Sequence, residues 1–121
     1  MSMITIDEFF VGYPESRRLF DALLPLVNGY GETDLKVKKS QIAFKRKKSF
    51  AWVWVPGRYL RGKVALLVLS ISLKNRDPSP RWKEIVELAQ GQHMHHLELY
   101  TIKDIDDDVR GWLRRAWELA G

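Results

Sequence analysis

One stretch of the sequence decides the fold: it reads Phe50-Ala51-Trp52-Val53-Trp54-Val55, a turn at Pro56-Gly57, and then Val64-Ala65-Leu66-Leu67-Val68-Leu69-Ser70-Ile71. The second run is apolar at both odd and even positions. That pattern is typical of a strand covered on both faces, at the centre of a sheet. We therefore predict that the rest of the chain covers or extends this strand.

Two helices are predicted before the central stretch. Thr5 and Glu8 have the spacing of a capping box, which indicates the start of a short helix. Pro14 suits the first turn of a second helix, because its missing N–H would have no partner there. Phe20 then begins an apolar face, and this helix is predicted to run to about Asn28.

Two half-buried strands are predicted next, over residues 35–38 and 41–45, where apolar and polar residues alternate. If Lys47-Lys48 is a two-residue hairpin loop, Phe44 lies opposite Ala51 and Ile42 lies opposite Val53. A loop one residue longer would change the pairing. With the shorter loop, one face carries six residues together: Phe50, Trp52, Trp54, Lys36, Lys38 and Lys45.

The C-terminal third is predicted to form a helix, a strand and a last helix. Ser79 and Pro80 are predicted to begin a helix that runs to about Ala89 and stops at Gly91. Residues 93–100 follow as a strand. Thr101 and Asp104 have capping-box spacing, and the last helix then carries one apolar stripe: Ile105, Val109, Trp112, Ala116 and Leu119.

These elements predict one α+β domain over residues 1–121, in the order α-α-β-β-β-β-α-β-α. Its sheet has about five strands and is mainly antiparallel, because the links between the middle strands have hairpin length. The chain is 45% hydrophobic and 29% charged, which is ordinary for a globular domain.

Several function classes are disfavoured by composition. There is no cysteine, so neither a disulfide nor a thiolate metal site is expected. No apolar run approaches the roughly 18 residues of a membrane span. Residues 1–7 are too short and too acidic for a signal peptide. We expect a cytoplasmic protein with no membrane partner.

Five motifs occur together in an order that resembles a known bacterial family. They are Phe9-Phe10-Val11-Gly12-Tyr13-Pro14, Lys39-Ser40-Gln41-Ile42-Ala43-Phe44, Phe50-Ala51-Trp52, His95-His96-Leu97-Glu98-Leu99, and Asp106 through Trp112-Leu113-Arg114-Arg115-Ala116. The chain is similar over essentially its whole length to domain-of-unknown-function family 5655. Some relatives carry the label "predicted transport protein", which no motif of this sequence supports. The family usually has Ala-Tyr where this chain has Ala116-Trp117. The resemblance supports the fold and implies no catalytic or binding residue.

The charges are strongly segregated along the chain. Residues 35–76 hold twelve of the twenty Lys and Arg residues and no Asp or Glu. The remaining eight basic residues share the rest of the chain with all fifteen acidic ones, so the middle carries about +12 and the remainder about −7. Segregation of this kind suits an anionic ligand or self-association.

Our leading hypothesis is a non-catalytic binding module whose basic sheet edge meets an anionic partner, with nucleic acid as the first candidate. Phe50, Trp52 and Trp54 would form a stacking platform with a phosphate-binding rim. Alternatively the tryptophans belong to the core and the lysines form a solvated edge that deters sheet pairing. The candidate binding residues are Lys36, Lys38, Lys39, Lys45, Arg46, Lys47, Lys48, Trp52, Trp54, Arg58 and Arg61.

Two other functions stay open. One is a self-associating interaction domain, a homo-oligomer in which the basic middle of one copy meets the acidic helices of another. The second is an enzyme with a pocket near Lys39 and the strand His93–His96. No catalytic residue is predicted, because the serines and histidines form no recognised motif and no phosphate-binding glycine loop is present.

No metal or other cofactor is expected at the histidines. His93 and His95 fall on one face of a strand, whereas His96 and the neighbouring Glu98 fall on the other. Each face therefore offers at most two ligands, and zinc needs three or four.

Overall fold

The computed structural model describes residues 4–89 and 91–121. Over these residues the chain forms three α-helices, six strands and two short 3-10 helices. The helices are α1 (Ile6–Phe9), α2 (Pro14–Tyr30) and α3 (Asp107–Leu119), and the strands are β1 (Asp34–Val37), β2 (Ile42–Lys45), β3 (Ser49–Trp54), β4 (Leu67–Leu73), β5 (Glu84–Ala89) and β6 (Gln92–Leu99). The 3-10 helices are Pro56–Arg58 and Ile102–Asp104.

The six strands form one antiparallel sheet in the order β1-β2-β3-β4-β6-β5. The α+β class and the antiparallel sheet are confirmed, with six strands where the sequence indicated about five. As predicted, β4 is an inner strand, paired with β3 on one side and β6 on the other. Its residues are buried on both faces of the sheet, with Leu69 on one and Val68 on the other.

Both predicted capping boxes are present. The Thr5 hydroxyl accepts a hydrogen bond from the backbone N–H of Glu8, whose carboxylate accepts one from the N–H of Thr5. Thr101 and Asp104 make the same exchange at the second 3-10 helix. The last helix, α3, begins later, where the Asp106 carboxylate caps it by accepting from the N–H of Val109 at 3.3 Å. These side chains satisfy N–H groups that have no partner within the helix.

The helix predicted from Ser79 and Pro80 to about Ala89 is wrong. Ser79 makes a local turn, because its hydroxyl accepts from the N–H of Arg81 at 3.2 Å. Residues 84–89 form β5, which pairs with β6 so that Ile85 lies opposite His95. Pairing along the outer edge of β6 gives the backbone N–H and C=O groups of β5 and β6 hydrogen-bond partners. This stabilisation outweighs the tendency of Ser79 and Pro80 to begin a helix.

The hairpin register is confirmed in the middle and wrong at its end. Phe44 lies opposite Ala51 and Ile42 opposite Val53, as predicted. The register then shifts between Phe44 and Lys45, so that Lys45 pairs with Ser49. This bulge places Phe50 in the core, with its ring 6.4 Å from that of Phe44. Phe50 therefore does not share a face with the two tryptophans of β3.

One face of the sheet carries the core. It presents Val53, Leu69 and Leu97, which are in register across β3, β4 and β6. Helices α2 and α3 contact each other and both contact β4. In α3, three residues of the predicted apolar stripe are buried: Val109, Trp112 and Ala116. Leu119, which was also predicted to belong to the stripe, is 41% exposed, and Leu113 is buried in its place. The stripe is therefore shifted toward Leu113.

The other face of the sheet, called the open face below, lies outside this core. Its residues alternate with the core residues along every strand. It carries Asp34, Lys36, Ala43, Lys45, Trp52, Trp54, Val68, Ser70, Ser72, Glu84, Val86, Met94, His96 and Glu98.

Among the residues described, the structure contains no helix that is both long enough and apolar enough to span a bilayer.

Candidate functional site

A row of residues across the open face changes from basic to acidic. Trp52 is in register with Ser70, and Ser70 with His96. On one side the row continues through β2 to Lys36 on β1, and on the other it ends at Glu84 on β5. The tryptophan therefore lies between a basic half of the face, formed by β1–β3, and an acidic half, formed by β5 and β6.

Trp52 and Trp54 are half-buried and do not belong to the core cluster. Their smaller neighbours on the open face, Ala43 and Ser70, are only 7% and 4% exposed. Helices α2 and α3 pack on the opposite face and cannot cover Ala43 and Ser70. The large side chains of the open face must therefore shield these two residues from water. The tryptophans are therefore partly exposed side chains on a sheet surface, outside the core.

Tyr59 extends this aromatic surface. It follows the first 3-10 helix, is 56% exposed, and its ring lies 6.2 Å from that of Trp54. Tyr59 is not among the candidate binding residues predicted from the sequence. Its position in Arg58-Tyr59-Leu60-Arg61, an aromatic residue among basic ones, is the signal that could have identified it.

The candidate basic residues separate into two groups at opposite ends of the sheet. Lys38 and Lys39 lie in the β1–β2 turn, and Arg58 and Arg61 lie in or after the 3-10 helix that follows β3. These two segments share one end, because β1 ends where β3 ends. Residues 45–48 lie at the other end, about 20 Å away at 3.3 Å per residue of β3. Lys36 lies between them on the open face.

Two of the three arginines in these groups, Arg46 and Arg58, are held by the fold. The Arg46 guanidinium lies 3.6 Å from the centre of the Trp117 ring and donates to the Trp117 carbonyl at 3.2 Å. It thereby ties the β2–β3 hairpin to the end of α3. Arg58 donates to the carbonyls of Phe9 and Lys39 at 3.2 and 3.1 Å, which ties α1 to the β1–β2 turn.

The β2–β3 hairpin tip faces acidic residues. A cleft of about 460 Å³ lies between this tip and the α2–β1 loop, and its wall includes Glu32 and Asp34 together with Lys45 and Lys47. Asp34 is also in register with Lys45. The positive charge of the tip is therefore partly offset, so we expect the end of the sheet with Lys38 and Lys39 to attract anions more strongly.

His95 is fully buried and both of its ring nitrogens are used. Nε2 accepts a hydrogen bond from the backbone N–H of Asp77 at 2.9 Å, and Nδ1 therefore donates to the carbonyl of His93 at 3.0 Å. Burial lowers the pKa of His95. The rings of Trp82 and His95 pack edge-to-face, with 4.8 Å between their centres. This histidine is a structural, neutral group.

His93 and His95 share one sheet face, as predicted, and His96 lies on the other. Within residues 4–89 and 91–121 no group of three His, Asp or Glu side chains is placed to hold a metal ion. The absence of a bound metal stays a prediction for the purified protein.

His96 and Ser70 form a pair on the open face, with 2.6 Å between Nδ1 and the serine oxygen. Burial lowers the pKa of His96, while the charge of Glu84 raises it and that of Lys83 lowers it. Ser70 is nearly buried in the middle of an inner strand, where the backbone N–H groups are used by the sheet ladder. Acyl transfer needs N–H donors aimed at an oxyanion. The hydrogen bond between Ser70 and His96 is therefore better explained as a structural contact than as the activation of a nucleophile.

Lys39 and the histidine strand are not brought together. Lys39 lies in the β1–β2 turn, and strands β3 and β4 separate β2 from β6. At about 4.8 Å between neighbouring strands, this spacing exceeds 14 Å. The enzyme hypothesis receives no support from this geometry.

The comparisons with known proteins agree with the fold and assign no activity. A family model described as "Domain of unknown function (DUF5655)" matches residues 6–120. Comparison with the curated proteins and with the solved structures finds no match. The matched region includes all three helices and all six strands of the described residues. The chain therefore belongs to the DUF5655 family of domains of unknown function.

Proposed function

We propose that this domain is a non-catalytic binding module that holds a single strand of nucleic acid on the β1–β3 half of its open face. The observation that carries the proposal is the position of Trp52 and Trp54. Both are partly exposed, both lie outside the core, and both share a face with Lys36.

The aromatic residues supply the stacking surface. Trp52 and Trp54 are two residues apart on one strand, which separates them by about 6.6 Å along the chain. Tyr59 adds a third exposed ring beside Trp54. Stacking of a base on an aromatic side chain contributes about 1–3 kcal/mol, and every base has a face that can stack. The surface therefore favours unpaired bases with little sequence preference.

The lysines supply the contacts to phosphates. Lys36, Lys38 and Lys39 lie along and beyond β1, and Arg61 and Lys63 lie in the loop that follows Tyr59. All five side chains are exposed, and Lys36 shares the sheet face of Trp52 and Trp54. On the other half of the face, Glu84 is exposed and Glu98 pairs with Lys83 at 3.2 Å. This polarity would keep a polyanion on the β1–β3 half.

The sheet edges are poorer candidates for the site. β1 has only four residues, and Lys36 lies in its middle. β5 carries Glu84 and Glu87. Short edges and charged edge residues are the devices that deter strand addition. A partner is therefore expected on the open face, where partly exposed tryptophans are present.

A salt series of binding tests this proposal. The fluorescence anisotropy of a labelled single-stranded oligonucleotide of mixed sequence should report binding at 50 mM salt. Affinity should fall with salt, with a slope of about 0.7 for each phosphate contacted. Trp52→Ala and Trp54→Ala should each weaken binding by about 1–3 kcal/mol, and Trp54→Phe should retain most of it.

The matched comparison for charge uses two exposed sites. The double substitution Lys38→Ala and Lys39→Ala should flatten the salt slope, whereas Arg114→Ala on α3 should leave it unchanged. Undetectable binding by the wild type at 50 mM salt would contradict the proposal. Binding that survives both tryptophan substitutions would place the site elsewhere.

The second candidate function is self-association, and the charge gradient of the open face favours it. Two copies packed face to face about a two-fold axis would set Lys36 of one copy near the Glu84 side of the other. The Trp52 and Trp54 side chains of the two copies would then contact each other. This version differs from the sequence hypothesis, because the acidic partner surface is the sheet and not the helices.

Light scattering distinguishes the two candidates. Self-association through opposite charges should give a dimer at low salt that dissociates as salt rises. The substitutions Glu84→Lys and Lys36→Glu should each weaken such a dimer, and the two together should restore it. A monomer at all salt concentrations would remove this candidate.

A further inference from the structure

Most of the exposed apolar side chains lie at the end of the sheet that carries the β1–β2 turn. Within residues 4–89 and 91–121, seven large hydrophobic residues are exposed, and Leu88 and Leu119 lie toward the opposite end. The other five are Val11 at 72%, Tyr59 at 56%, Leu60 at 49%, Tyr100 at 51% and Ile102 at 48%. Single exposed hydrophobic residues are ordinary, but their concentration at one end indicates an interaction surface.

The segments that carry these residues are neighbours. The Arg58 guanidinium donates to the carbonyl of Phe9 at 3.2 Å, which ties the segment after β3 to α1. Val11 follows α1, and Leu60 follows β3. In the sheet only β4 separates β3 from β6, so the ends of these two strands lie about 10 Å apart. Tyr100 directly follows β6. The apolar end, as this surface is called below, consists of Val11, Leu60, Tyr100 and Ile102.

The charged side chains among these segments are basic. Residues 38–40, 59–63 and 100–103 contain no Asp or Glu. Their exposed basic residues are Lys38, Lys39, Arg58 beyond their border, Arg61, Lys63 and Lys103. The Asp104 carboxylate, which follows them, accepts from the N–H groups of Tyr100 and Thr101 at 2.8 and 3.0 Å. The acidic start of α3 lies in the helix layer, where Arg81 and Arg110 pair with it. The apolar end therefore has a basic rim.

We infer that the apolar end binds the surface of a membrane that contains anionic lipids. Val11, Leu60 and Ile102 would enter the boundary between headgroups and acyl chains, and the basic rim would contact the headgroups. The Tyr100 ring suits this boundary, where one side is apolar and the other is wet. A nucleic acid would leave the aliphatic side chains in water, and a neutral bilayer would leave the rim without a counter-charge.

We predicted no membrane partner from the lack of an apolar run long enough to span a bilayer. Binding to a membrane surface needs no such run, because it depends on buried apolar area and on attraction to anionic lipids. The aliphatic side chains of the apolar end are not part of the proposed nucleic-acid surface. The membrane surface therefore stands or falls independently of the proposed function.

Co-sedimentation with lipid vesicles tests the inference. Vesicles of phosphatidylcholine with about 30% phosphatidylserine should bind the protein at low salt, whereas vesicles of phosphatidylcholine alone should not. Leu60→Ser and Ile102→Ser should each weaken binding to the anionic vesicles at least about threefold, since each removes apolar area from the contact. Leu119→Ser, at an exposed leucine of the opposite end, is the matched control and should leave binding unchanged.

Two further variants separate the sources of binding. The double substitution Lys38→Gln and Lys39→Gln should weaken binding to the anionic vesicles about 25-fold, because each lysine near such a surface contributes about 1 kcal/mol. Trp52→Ala should leave vesicle binding unchanged. Melting temperatures check that each variant folds, and Val11→Ser takes the place of a serine variant that does not.

Three results would overturn the inference. They are no sedimentation with the anionic vesicles, equal binding to the neutral vesicles, and weaker binding in the lysine variant with none in the serine variants of the apolar end. The last result would mean that the protein is adsorbed by charge alone.

Discussion

The imidazole of His95 holds the backbone of Asp77. Its Nε2 atom accepts the Asp77 N–H at 2.9 Å, while the Asp77 carboxylate accepts from the indole N–H of Trp82 at 3.0 Å. Trp82 in turn packs against Trp112 of α3, with 4.2 Å between ring centres. A buried histidine on β6 thus fixes the loop before β5 and connects it to the last helix.

The first prediction is that stability falls in mild acid. Protonated His95 could no longer accept the Asp77 N–H, and burial lowers the pKa of His95 and of His96. Since their folded pKa values lie below the unfolded value of about 6.5, the unfolded chain binds more protons. The contribution of the two neutral histidines to stability is complete above about pH 6.5 and is lost as the pH falls through their folded pKa values. Urea unfolding should show a lower midpoint at pH 5.5 than at pH 7.5, and an equal or higher one would contradict this.

The second prediction concerns Trp112. Its side chain lies on the buried side of α3 and packs against the Trp82 ring. Trp112→Ala should therefore reduce the free energy of unfolding by about 3–5 kcal/mol. Trp52→Ala is the control, and it should cost less because its side chain is partly exposed and lies outside the core cluster. Equal losses in the two variants would mean that Trp52 belongs to a core.

The third prediction separates Arg46 from its neighbours. Arg46→Ala removes the contact with the Trp117 ring and a hydrogen bond from a charged donor, and should cost about 1–2 kcal/mol. Lys48→Ala changes an exposed side chain and should stay within about half a kcal/mol of wild type. Chemical unfolding measures both. An Arg46→Ala variant as stable as the wild type would show that the stacking is not energetically important.

The fourth prediction concerns two glycines near the end of α2. Gly31 has φ +151°, and a Cβ built there would lie 2.5 Å from a carbon of the Trp117 ring. Gly31→Ala should therefore destabilise by about 1–3 kcal/mol, as overpacking does. Gly29→Ala meets open space inside the helix and should stabilise by about 0.5–1 kcal/mol. Melting points that move in the same direction for both variants would contradict this account.

Much of the fold could be predicted because its signals are local. The apolar run around Leu69 identified β4, and Thr5 and Thr101 identified their capping boxes. The β5 strand could not be predicted in the same way. The segment that contains it begins with Ser79 and Pro80, a pair that also begins helices, and only pairing with the edge of β6 determines that residues 84–89 form a strand.

The candidate site was predictable in part. Strict alternation placed Trp52 and Trp54 on the face of Lys36, and the structure has them there. The bulge removes Phe50 from that face and places it in the core, and no residue spacing in the sequence shows this bulge. The structural role of Arg46 likewise depends on Trp117, seventy-one residues later in the chain.

We propose above that the two partly exposed tryptophans of the open face contact nucleic acid. The chain has five tryptophans, so a ¹H–¹⁵N correlation spectrum should show five indole signals. We predict that adding a single-stranded oligonucleotide at 50 mM salt shifts the signals of Trp52 and Trp54 and leaves those of Trp82 and Trp112 in place. No shift at any signal, or shifts at Trp82 and Trp112 in place of the open-face pair, would contradict the account.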